Sequence, residues 1–172
     1  MTPVDERGVL RVAPAGYFIA FLLVVTPAFD WVTNITPFRP GSVDWRYGVT
    51  GLLSGFLLTP LLGMAVAALI SAATGGRRAR LVTGVLNLAF GLALVLLLPL
   101  FALDFFQLRA SMPAGELSLY DVAGLKAAVK HLTAAAAFLW LGVAVLRNLP
   151  RAVRKRAAAL AVVMEPPAQP IV

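Results

Sequence analysis

Four long apolar runs alternate with short polar breaks along the chain, at about residues 12–32, 48–73, 81–106 and 122–146. Each run is about 20 residues or longer, enough for an α-helix to cross a hydrocarbon core of about 30 Å. None shows the period-2 alternation of a membrane β-strand. The pattern predicts an all-α membrane protein, a four-transmembrane-helix antiparallel bundle spanning residues 12–149. A polar leader, residues 1–11, precedes it, and a basic, partly disordered tail, residues 150–172, follows.

The breaks carry their own signals. Basic residues ahead of the first run suggest a secretory signal, but no small-x-small cleavage site follows, and Phe29-Asp30-Trp31 is a poor one. The run therefore reads as an uncleaved span, with Pro14 in its first turn and Pro27 kinking its far end. Pro37, Pro40 and Gly41 break the next stretch, after which Ser42 or Asp44 can cap the second helix. Pro60, near the middle of that helix, deprives the Phe56 carbonyl of its usual donor and predicts a bend. Thr74-Gly75-Gly76 predicts a tight turn into the third helix, which contains Asn87 and Pro99. Pro113 and Gly115 mark a second broken segment, and Ser118-x-x-Asp121 reads as a capping box for the fourth helix.

Small residues recur at every fourth position of the second run: Gly51, Gly55, Thr59, Gly63, Ala67 and Ser71. Such a row forms a groove where another backbone can approach closely, the means by which helices associate in lipid. It drifts around the axis by about 40° per step, so it is expected to serve two neighbours. Asn87 and Gly91, with Thr83 and Gly84 nearby, mark a second close-packing face, with the Asn87 amide as interhelical glue.

Composition agrees with this assignment: 60% of residues are hydrophobic and 13% charged, against about 45–50% and about 25% in soluble domains. Cysteine is absent, which excludes disulfides and thiolate chemistry. The net charge of +7 lies on one face. With four spans, the leader, the Arg77–Arg80 turn and the tail share a side, holding ten Lys and Arg against three acids. The other side holds five against five. The positive-inside rule makes the basic side cytoplasmic, with both termini there. Arg77, Arg78, Arg80, Arg151, Arg154, Lys155 and Arg156 are then expected to meet anionic lipid headgroups, and nucleic acid is not the expected partner.

Ionisable residues within a span are candidate functional groups. Asp30, Arg46, Asp104, Lys126, Lys130 and His131 fall toward the outer ends of the runs and form a possible outer polar cluster. Alternatively, the lysines snorkel to the headgroups, and Arg46 clamps an anion or pairs with Asp30 or Asp44. His131 is the only histidine, so neither bis-histidine haem nor a zinc site can be completed by this chain, and no cofactor is expected. No nucleophile elbow, Walker loop or paired His-Glu motif occurs.

Trp45-Arg46-Tyr47, then Gly51, then Pro60-Leu61-Leu62-Gly63 resembles the second-span signature of HpsJ-like bacterial membrane proteins, over about residues 35–63. Arg46 stands where that pattern has an acidic residue, and the longer polar or coiled segments of those proteins are absent. The resemblance implies a bacterial inner-membrane protein with envelope or export work, and supplies no catalytic residues. The leading expectation is a non-enzymatic accessory or assembly subunit that associates with other membrane chains through its small-residue grooves. The alternative is a small transport or ligand-binding bundle using the outer polar cluster.

Overall fold

The computed structural model describes residues 6–74 and 76–147, with side chains from residue 11 onward. These residues form five helices: α1 (Glu6–Asn34), α2 (Val43–Phe56), α3 (Leu58–Thr74), α4 (Arg77–Arg109) and α5 (Leu117–Arg147). There is no strand among the described residues. Residues 11–34 of α1, and α4 and α5, are each long and apolar enough to cross a membrane, and α2 with α3 passes the same test as one bent unit. Side chains such as Phe18, Leu69, Leu96, Leu125 and Trp140 are largely exposed. A surface of this kind, on every long helix, is suited to lipid.

The bend lies where Pro60 puts it. α2 ends at Phe56, α3 begins at Leu58, and their axes differ by 48°. Leu57, the residue between the two helices, has its carbonyl taken up by the Leu61 amide at 3.2 Å. Ser42 is the N-cap of α2, its hydroxyl accepting from the Trp45 amide at 3.3 Å. α1 continues as a helix through both Pro14 and Pro27.

The capping box is corrected. α5 starts at Leu117, so Ser118 already lies inside it. The Asp121 carboxylate is drawn away to Arg109 at 2.6 and 2.9 Å, closing the α4–α5 connection with an exposed ion pair.

Two antiparallel pairs make up the bundle. α4 and α5 pack along their length, because glycines let the backbones approach. A Cβ on Gly142 would stand 3.0 Å from the Gly84 carbonyl oxygen, and one on Gly91 would stand 2.7 Å from Leu139. α1 and α3 pair in the same way, with Gly63 against Ala20 and Gly16 against Ile70. The bend carries α2 from this second pair toward α4 and α5. At the junction lies the buried apolar core: Leu57, Met64, Leu94, Ala134, Ala135 and Phe138. α1 does not approach α4 closely, so a cleft remains between them with α3 as its floor.

Candidate functional site

Three consecutive residues organise one end of the bundle. Successive side chains on a helix point about 100° apart, so Trp45, Arg46 and Tyr47 address three different neighbours. The Trp45 indole N–H donates to the Ile35 carbonyl at 3.0 Å, and its ring tilts against Phe38. The Arg46 Nε and Nη2 donate to the two carboxylate oxygens of Asp104 at 3.1 and 2.7 Å, and Nη1 donates to the Pro40 carbonyl at 3.0 Å. Tyr47 stacks on Phe101 of α4 and tilts against Tyr120 of α5, both at 5.2 Å. From α1, the Trp31 indole N–H returns to the Val49 carbonyl at 3.2 Å. The start of α2 is thereby tied to α1, α4 and α5 at once. The fork of Arg46 on Asp104 is bidentate, and Asp104 is 5% exposed, so the pair sets position as well as charge.

Of the six residues expected in an outer polar cluster, the fold brings Arg46 and Asp104 into contact and places His131 below them. His131 is 1% exposed and stacks on the Phe101 ring at 5.9 Å. Its Nδ1 lies 2.8 Å from the Ala127 carbonyl, which can only accept, so Nδ1 carries the proton. Nε2 is then an acceptor, buried and without a partner. Asp30, Lys126 and Lys130 stand apart, exposed on other faces, and no ion pair joins them among the described residues. The physical reason is angular. Lys130 precedes His131 by one residue, so turning the imidazole into the α4–α5 seam turns the lysine out of it. The pairing of Arg46 with Asp104, across 58 positions, has no local sequence signal that prefers it to Asp30 or Asp44.

The small-residue row divides at the break. Gly63 is buried against α1, where an added Cβ would lie 2.7 Å from the Ala20 carbonyl oxygen. Ala67 is half-buried and Ser71 wholly buried, the Ser71 hydroxyl donating to the Ala68 carbonyl at 2.8 Å. Thr59 is half-buried beside the break. At Gly51 and Gly55 an added Cβ would meet nothing within 4 Å. On α4, Gly91 and Asn87 both lie buried in the seam with α5. The Asn87 amide donates within its own helix, to the Thr83 carbonyl at 2.8 Å, and its Oδ1 is left without a partner.

The basic turn divides too. Arg77 and Arg78 are exposed. Arg80 is 9% exposed and folds back over the end of α3, donating from Nε to the Ser71 carbonyl at 3.0 Å and from Nη2 to the Ala72 carbonyl at 2.6 Å. Last-turn carbonyls lack helical donors and carry the negative end of the helix dipole, so a guanidinium satisfies both needs. Arg80 therefore acts as a C-terminal staple for α3 and not as a headgroup contact. Arg151, Arg154, Lys155 and Arg156 lie outside the described residues.

Two apolar cavities follow from the cleft. One, of about 320 Å³, sits at the bend between Trp31, Leu57, Pro60, Phe90, Leu94 and Phe138. The other, of about 560 Å³, runs between α1 and α4 from Arg78 to Phe90 over Gly63 and Met64. No family model matches the chain, and no curated protein or solved structure matches it either.

Proposed function

We propose that the chain is a non-enzymatic integral membrane protein serving as an accessory or assembly subunit of a larger membrane complex. It crosses the membrane four times, with α2 and α3 as one bent span, and both termini lie on the side of Arg77 and Arg78. The likeness around Trp45 to Gly63 favours the bacterial inner membrane and an envelope complex.

One observation carries this reading. One member of the close-packing row, Gly63, is used by the chain's own α1, while at Gly51 and Gly55 the row is open. Glycine in a helix interior costs stability relative to alanine, by about 1 kcal/mol in water. A helix that keeps two glycines on a face touching nothing of its own gains from them when another backbone arrives. The outer knot supports the same role, because it fixes α2 rigidly and so presents that face in a defined direction.

The test is the mass of the protein extracted from its native membrane in mild detergent. A stable complex with another membrane chain is expected for the wild type, and its loss in the double variant Gly51→Leu, Gly55→Leu. A wild-type protein that runs alone under conditions where its fold persists would rule the reading out.

A further inference from the structure

The cleft between α1 and α4 has a polar group at each of two levels and an apolar length beyond them. Arg78 stands exposed at one end, and its side chain makes no hydrogen bond or ion pair with another described residue. Tyr17, on the opposite wall, has a buried hydroxyl with no hydrogen-bond partner. Beyond them the walls are apolar but for Thr83, from Phe21 and Val82 up to Phe90, over Gly63 and Met64. The twelve residues from Arg78 to Phe90 rise about 18 Å along α4. That matches one leaflet, about half of a hydrocarbon core of about 30 Å.

We propose that this cleft holds an anionic phospholipid: its phosphate on Arg78, an ester oxygen accepting from the Tyr17 hydroxyl, and one acyl chain lying between α1 and α4. Free phosphate leaves the apolar length empty. An acyl chain is thin enough for the cleft, and a headgroup phosphate supplies the opposite charge that the Arg78 guanidinium lacks. The orphan hydroxyl supplies the intermediate contact, since a buried O–H without an acceptor is unfavourable until one is provided. The lipid fills space that the bent span leaves open, and so serves as part of the bundle. This holds whether or not a partner chain binds at Gly51 and Gly55.

Native mass spectrometry of the full chain in mild detergent tests it, titrating dioleoylphosphatidylglycerol against dioleoylphosphatidylcholine. Phosphatidylglycerol should be retained in preference, and Arg78→Ala should reduce that preference about fivefold. Arg77→Ala, which changes an arginine outside the cleft, should leave it within about twofold. Tyr17→Phe should weaken retention of both lipids by about threefold, and Val82→Trp should block both. Equal retention of the two lipids by the wild type would overturn the proposal. So would equal losses in Arg77→Ala and Arg78→Ala, the mark of diffuse surface attraction. If Val82→Trp does not fold by circular dichroism, the Arg78 and Tyr17 variants decide alone.

Discussion

The two halves of the bent span are held in different ways. α3 is held by backbone proximity and by a staple: Gly63 lets α1 come into direct contact, and Arg80 closes over the final carbonyls. α2 is held by side chains at its tip, where Trp45, Arg46 and Tyr47 grip three neighbours, and a Cβ added at any of its glycines would meet nothing within 4 Å. A single row of small residues therefore has two fates, and the 48° break separates them. The lesson is that small residues at every fourth position state an ability to pack closely. Which helix uses that ability depends on where a proline redirects the axis.

Gly63→Leu should do the most damage. Its Cβ meets a backbone oxygen at 2.7 Å, which cannot rotate away. A loss of roughly 2–3 kcal/mol is expected, at the upper end for overpacking, read by denaturant titration in mixed micelles. Arg80→Ala comes next, at about 2 kcal/mol, since it removes charge-assisted hydrogen bonds and leaves the carbonyl of buried Ser71 without its donor. Arg77→Ala, three residues earlier on an exposed side chain, should change little by the same assay. Equal effects of the two would break the distinction between staple and headgroup contact.

At the other half, Asp104→Asn should loosen α2 without unfolding α3, seen as faster hydrogen exchange confined to α2. Replacing both partners by leucine should be milder than removing the carboxylate alone, because no unpaired guanidinium is left near a buried site. The smallest effect on the isolated chain belongs to Gly55→Leu, within about 0.5 kcal/mol, because the new side chain enters open space. Its consequence should appear in association and not in stability.

Most of the fold was legible because lipid simplifies the code. Four apolar runs, their breaks and the bend at Pro60 follow from length, proline chemistry and backbone hydrogen bonding. Gly84 and Gly91 likewise announced a close-packing face on α4; that α5 fills it, with Gly142 against Gly84, comes from the fold. What the sequence leaves open is how each helix is rotated and which ends meet. Arg80 sits in a run of arginines that all read as headgroup contacts, and only the nearby end of α3 selects it as a cap. His131 and Lys130 are neighbours in sequence but face opposite environments. Asp121 satisfied a capping pattern, yet a long-range partner, Arg109, claimed it.

The most direct test of the open α2 face uses the absence of native cysteine. A single thiol placed by Gly55→Cys, carrying a short photo-crosslinker and activated in native membranes, reports what lies beside that face. Leu69→Cys, at a position 71% exposed on the same bent span, serves as the lipid-facing reference. A discrete heavier adduct from position 55 and none from position 69 is the predicted result. Adducts from neither position, or the same adducts from both, would contradict the claim that the Gly51 and Gly55 face receives another chain.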